Sequence, residues 1–281
     1  MKIAFWSNEN EKSCAYLNFV AVSIASVMSY SYKITVMENY FGRENLGRAF
    51  FVNYDSIHPR YIGTGFYEGR GIEGLIRRIY RGDNYPSLLR EYQKEVIPRH
   101  LYYIPQGGVI NSELFDFELF NNLKGLLNLI NRNTDHIFIN TTHKNHLSSN
   151  AILQEADLIV VNLYQNLAYL EDFFKNYHSL IHKSLFILGN YSSRSIMSCN
   201  RISRLYDIPL ENISAIPYNE NFHVACNNGS AKEFLNNNYF CSRENPNFLF
   251  VHGVRHFVHM ISRRLEKSFL ISAKEMEPCV F

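Results

Sequence analysis

A lysine–serine pair, Lys12-Ser13, stands where an apolar opening segment, KIAFW, has turned through SNENE and a long helical pattern begins. Strand, tight turn and helix is the layout of loops that bind phosphate. There the free N–H groups of a helix amino end and a lysine converge on anionic oxygens, and the following hydroxyl can reach a divalent cation. This turn holds no glycine, and it carries two carboxylates, Glu9 and Glu11. Side chains hinder the close approach of backbone N–H groups to an anion. Unit charges about 4 Å apart also repel by about 1 kcal/mol even in bulk water. Taken alone, Lys12-Ser13 is more simply a polar helix start with Ser13 as its N-cap. Other polar residues follow apolar runs in the same way. Glu38 and Tyr40 come after KITVM, Asn140 closes HIFIN, Asn190 closes FILGN, and Pro217 and Asn219 follow ISAI.

The elements that must position these residues are legible from periodicity. Strand-like runs recur at KIAFW, KITVM, HLYYI, HIFIN, DLIVVNL, SLFILGN and ISAIPY. Between them lie helical patterns, AYLNFVAVSIASVMS, SELFDFELFNNLKGLLNLI, NLAYLEDFFKNYHSL and SCNRISRLYDI. HIFIN and DLIVVNL are apolar without alternation, as strands covered on both faces are. The expected fold class is α/β, a mostly parallel sheet with helices on both faces in a three-layer sandwich. One domain is expected over 1–281. A Gly-rich excursion interrupts it at about 39–99, with two short helical patches, and a C-terminal helix closes it at about 245–267, opened by Asn245-Pro246. Open parallel sheets bind ligands at the carboxyl ends of their strands. The residues of the first paragraph all fall there.

Composition bounds the function. Hydrophobic residues make up 46% and aromatics 15%, enough for a sizeable core and against disorder. Twenty-eight basic against 26 acidic residues give a net charge of +2, so no general attraction to nucleic acid is expected. The five cysteines are scattered singly without a CxxC pair, which argues against a structural zinc site or a disulfide framework. No run reaches the ~18 apolar residues of a spanning helix, and the charged SNENEK interrupts any leader-like core. A cytoplasmic protein with reduced thiols is expected.

Taken in order, the strand ends resemble those of the ParA/MinD family of P-loop ATPases. SNENEKS occupies the place of that family's KGGxGKT loop, and Asn18 falls on an asparagine that opens the helix core. MENYFGRENL resembles its iDxDxxxxNL segment, and HIFIN…EADLIVVNLYQN the strand that ends in an acidic switch and runs on to its AD.vvv segment. FILGNY resembles its vvNr strand and AIPYNENFHVACNNGSAKEF its iPyd segment. The resemblance implies a P-loop NTPase-like fold that binds ATP with magnesium. Lys12 would take the phosphate, with Cys14 beside it, and Ser13 would hold the magnesium. Asn190, Pro217 and Asn219 would meet the base; an asparagine can pair bidentately with an adenine edge. It also marks departures. The loop glycines are Asn8, Glu9 and Glu11, and the lysine that reaches a partner's nucleotide is Ser7. The first acid after the second strand is kept as Glu38, the second is Tyr40, and the switch acid is Asn140. Magnesium favours charged oxygen ligands, and phosphoryl transfer rests on placed cations and a held water.

Three readings follow. The first is a weak or non-hydrolysing ATP binder, a pseudo-ATPase, acting in positioning or assembly with protein partners. Degenerate relatives of this kind, the TadZ/CpaE group, serve Tad/Flp pilus assembly. The second is an active ATPase using Lys12, Ser13 and Glu38, and the third a scaffold that binds no nucleotide. With Ser7 in place of the cross-subunit lysine, any homodimer is expected to form without ATP. The last helix raises two more possibilities. His252, His256 and His259 lie near one face of it, but with no carboxylate or cysteine beside them a packed or half-exposed face is a better reading than a zinc site. Arg255, Arg263, Arg264 and Lys267 invite DNA or membrane contact, although cations near a helix carboxyl end are favoured on dipole grounds alone.

Overall fold

The computed structural model describes residues 1–8, 12–39, 46–54, 71–85, 87–107, 111–141 and 146–275, without the side chains of Lys12, Ser13 and 268–275. Eight strands form one sheet: β1 (Lys2–Trp6), β2 (Ile34–Glu38), β3 (Lys94–Ile97), β4 (Leu101–Tyr103), β5 (His136–Asn140), β6 (Leu158–Leu163), β7 (Ser184–Gly189) and β8 (Ile213–Ile216). Their order is β3-β4-β2-β5-β1-β6-β7-β8. All pairings are parallel except that of β3 with β4. The central strand β1 pairs Lys2 with Ile137 of β5 and Ile3 with Leu158 of β6.

Helices cover both faces. Side chains of α1 (Lys12–Tyr30), α2 (Gly47–Phe50), α9 (Glu220–Asn227), α10 (Ala231–Asn238) and α11 (Phe248–Glu275) join one apolar cluster with Ile3, Phe5, Val36 and Ile187. The opposite cluster joins Ala4, Trp6, Ile139 and Val161 to α3 (Gly71–Tyr80), α4 (Leu88–Tyr92), α5 (Ser112–Asn131), α6 (Leu147–Glu155), α7 (Leu167–Asn176) and α8 (Cys199–Leu205). Strand alternation sends Ile3 and Phe5 one way and Ala4 and Trp6 the other. β6 and β7 are buried along their whole length. Helix α1 is apolar almost all round and sinks into its layer, where Ser23 and Ser26 hydrogen-bond back to the carbonyls of Phe19 and Val22.

Two expectations are corrected. The excursion after the second strand contains three short described helices and a strand, β3, where the sequence pattern predicts loop. Its four residues, KEVI, are half solvated at the sheet edge and lack the long apolar run of the inner strands. The C-terminal helix starts at Phe248 and runs to Glu275, beyond the expected 267, because SFLISAKE offers no breaker; Asn245 and Pro246 form the turn before it, where the Phe248 N–H bonds the Asn245 carbonyl. No helix among the described residues is long and apolar enough to cross a membrane.

Candidate functional site

The carboxyl ends of β1, β2, β5, β7 and β8 bring the expected residues to one edge of the sheet. Lys12 and Ser13 open α1 there, with no acidic residue in the first helical turn, so its positive dipole end is uncompensated within the helix. Their side chains and residues 9–11, with Glu9 and Glu11, lie outside the described residues, as does Tyr40. Asn8 sends its amide toward α7, donating to the Tyr169 carbonyl and to the Asp172 carboxylate, each at 2.9 Å.

Beneath the opening of α1 lies a polar cluster that sequence reasoning missed. Ser7 is buried, and its hydroxyl donates to the Asn162 carbonyl at 2.9 Å. Asn18 donates to Asn162 Oδ1 at 2.6 Å and lies 3.6 Å from the Cys14 sulfur. Cys14 is thus turned into the protein, against the end of β7. A Cβ on Gly189 would come within 2.7 Å of its sulfur and 2.8 Å of Asn162 Oδ1. The available signal was an asparagine set inside each of two apolar runs, YLNFV and VVNL.

Glu38 ends β2 but does not face the edge. It is 2% exposed, accepts the Tyr103 hydroxyl at 2.7 Å, and accepts the Leu46 N–H at 3.2 and 3.4 Å. Burial pushes its carboxyl up to about 7, against the pull of those hydrogen bonds and with the help of nearby Glu73. Asn140 is half-buried at the end of β5, its carbonyl taking the Asn39 N–H. Asn39 ties β2 to α6 through the hydroxyls of Ser148 and Ser149, at 3.1 and 3.0 Å. A neutral amide at Asn140 and a core-bonded Glu38 do not suit magnesium, which takes charged oxygens and bound water.

The other end of the edge is open. Asn190 follows β7 in the left-handed region, φ 51°, which asparagine tolerates better than most residues. It is exposed, and its amide makes no hydrogen bond among the described residues. The loop after it is braced by Gln165, which accepts the Ser192 N–H at 2.6 Å and donates to the Ser192 and Met197 carbonyls at 3.1 and 2.9 Å. Removing three such bonds in Gln165→Ala should cost about 1–3 kcal/mol in a urea titration. An unchanged midpoint would show that the loop holds without the brace. The Tyr191 N–H bonds the Ile216 carbonyl, which places Pro217 beside Asn190. Next comes Tyr218, partly exposed, its hydroxyl bonded to Glu220 at 2.6 Å and to His223 at 2.8 Å. Donation to Glu220 pushes the phenol up to about 12. Asn219 is committed to the fold instead of the edge. It caps α9 through the Phe222 N–H at 2.8 Å, and its Nδ2 donates to Asn247.

Sequence comparison adds nothing on its own: no family model matches the chain, and no curated protein does. The fold recurs in solved structures. The chain superposes on a ParA family ATPase from Chlorobium tepidum TLS at TM-score 0.67 and 12% identity, covering 92% of this chain and 98% of that one. The fold is that of the ParA/MinD ATPases. The MinC:MinD cell division protein complex of Aquifex aeolicus matches at TM-score 0.64 and 11% identity over 95% and 96% of the two chains. MinD of Pyrococcus horikoshii OT3, complexed with Mg-ADP, matches at 0.60 and 13% over 93% and 96%.

The histidines of α11 are now placed relative to the ParA/MinD-type sheet. His256 Nδ1 pairs with the Ser214 hydroxyl at 3.0 Å and His259 Nδ1 with the Tyr30 hydroxyl at 2.8 Å. No group of three metal-binding side chains exists among the described residues.

Proposed function

We propose that this chain is a nucleotide-responsive positioning or assembly protein with a ParA/MinD-type fold, one that binds ATP weakly and hydrolyses it slowly or not at all. The contrast between the two ends of the strand edge carries this reading. At the base end, Asn190 presents an uncommitted amide beside Pro217. At the phosphate end, the one acid retained on β2, Glu38, is bonded into the core. Lys12, Ser13 and Cys14 open the helix on the phosphate side, Asn190 and Pro217 meet the base, and Asn219 supports the turn between them. Among the described residues a magnesium ion has no well-matched set of ligands, so no hydrolytic step is assigned to Glu38, Tyr40 or Asn140.

Such a protein acts through conformation and partners. The MinC:MinD complex is a neighbour of this kind, one fold carrying another protein. A role like that of the TadZ/CpaE group in pilus assembly fits a degenerate loop, with a homodimer that does not need ATP. The outer face of α11, bearing Arg255, Arg263 and Lys267, is the surface for any contact with DNA or membrane.

A thermal-shift titration with ATP, with and without magnesium, on the wild type and on Asn190→Ala tests this reading. At about 100 times the dissociation constant, binding adds about 2.7 kcal/mol. A shift that needs no magnesium and is lost in Asn190→Ala is expected. No shift at millimolar ATP would leave the scaffold reading. Magnesium-dependent phosphate release abolished by Lys12→Ala would establish an active ATPase instead.

A further inference from the structure

Helix α5 carries a strip of side chains that nothing among the described residues covers. Its buried residues, Phe115, Leu119, Leu123, Leu126 and Ile130, face the sheet. On the opposite side Glu113, Phe117, Phe120 and Lys124 follow at spacings of four, three and four. At 3.6 residues per turn they fall within about 60° of one another, on a ridge about 16 Å long. Phe117 is 56% exposed and Phe120 42%, and they are joined by Leu114 at 40% and by Leu147 at 51%. Leu147 opens α6 beside them, its N–H held by Asp116 at 3.0 Å. This is an apolar centre with an acid at one end and a base at the other. The side chain of Glu113 has no partner among the described residues. Lys124 is 83% exposed and only touches Glu155, at 3.7 Å.

We propose that this ridge is the seam of a homodimer, in which two copies of α5 lie antiparallel about a two-fold axis at the level of Glu118 and Leu119. The arrangement of the four residues selects that partner. Reversing the ridge about this level places residue 113 opposite residue 124 and residue 117 opposite residue 120. Each Glu113 then meets the partner's Lys124, twice over, and each Phe117 packs on the partner's Phe120. A parallel pairing in register would set Glu113 against itself and Lys124 against itself. The spacing of four, three and four is that of helices packed as in a coiled coil. A two-fold axis requires a self-complementary patch, and this one is. The orientation also sets each lysine beside the acidic amino end of the other helix. The seam is short and belongs with specific interfaces below about 1,200 Å² in total, so exchange at micromolar concentrations is expected. It stands whether or not nucleotide binds, since none of its residues belongs to the strand edge.

Sedimentation of the full chain from about 1 µM to about 300 µM, with and without ATP, tests the seam. The wild type should dimerise over this range, equally in both conditions. Phe117→Ser should abolish the dimer, and Glu113→Lys or Lys124→Glu alone should weaken it about tenfold or more through like-charge contacts. The double variant Glu113→Lys with Lys124→Glu should dimerise like the wild type, because both contacts are re-formed with reversed sign. All these positions are exposed, and melting by circular dichroism checks that each variant folds. A wild type monomeric throughout would overturn the proposal. So would a dimer that needs ATP, a dimer indifferent to Phe117→Ser, or a double variant no better than the single ones.

Discussion

Glu38→Gln should make the protein markedly more tolerant of rising pH than the wild type between pH 4.5 and 7. The folded state lifts the Glu38 carboxyl from 4.5 to about 7 by burial, so it binds a proton there that the unfolded chain has released. Stability from this group is therefore full below pH 4.5 and is lost as pH rises toward 7, by about 3 kcal/mol in all. His136 works the other way. Burial lowers it from 6.5 to about 4, so the unfolded chain takes the proton first and stability is lost as pH falls from 6.5 toward 4. The two windows overlap and the slopes oppose each other. In the wild type they largely cancel; in Glu38→Gln the histidine acts alone. Urea unfolding of both proteins across this range should give a stability difference that moves by about 3 kcal/mol in favour of the variant as pH rises. Parallel curves would mean that Glu38 is an ordinary ionised carboxylate in the fold. The bond lost between Leu46 and a glutamine amide shifts the variant's curve at every pH and does not change its slope.

Gly253→Ala should destabilise the protein although it improves the helix. Alanine is favoured over glycine inside a helix by about 1 kcal/mol. At Gly253 the added methyl would stand 2.7 Å from the Ala215 carbonyl oxygen and 3.6 Å from Pro217. That neighbour is strand backbone and cannot rotate aside, so the 28-residue helix α11 must move off β8. A net loss of about 2–4 kcal/mol is expected. Gly125→Ala is the control: its methyl would meet only the end of the Ile79 side chain, at 3.0 Å, and the helix gain should survive. A Gly253→Ala variant as stable as Gly125→Ala would show that α11 packs less closely than described. Because Pro217 takes part of the displacement, Gly253→Ala should also blunt the ATP-induced melting shift.

How far the sequence foretold this protein depends on the range of the forces. Strand-like runs marked the seven parallel strands, most plainly HIFIN and DLIVVNL, where burial on both faces leaves apolar residues without alternation. β3 left none, since its order comes from pairing with β4 across a turn where Arg99 is left-handed, φ 66°. The strand-end rule located the edge, but not what the side chains do there. Glu38 turns inward because Tyr103, 65 residues away, donates to it. The capping duty of Asn219 was readable, an asparagine directly before the helical stretch ENFHVACN, and the family likeness drew attention to a base instead. The strip on α5 was equally readable, but a pattern of exposed residues acquires meaning only once the buried side of the helix is known.

The place of β1 in the sheet bears on how the chain is made. The strand leaves the ribosome well before its two neighbours, β5 and β6, which lie about 135 and 155 residues later. At about 5–20 residues per second, KIAFW waits roughly 7–30 s for the strands that flank it. The later strands β6, β7 and β8 are sequential neighbours and can assemble among themselves. The centre of the sheet therefore stays open until β5 and β6 have been made, and β1 is an unpaired apolar strand up to that point. Contacts of such long sequence separation make for slow folding. In this protein the cell's chaperones have most to shield at β1 while β5 and β6 are still to be made.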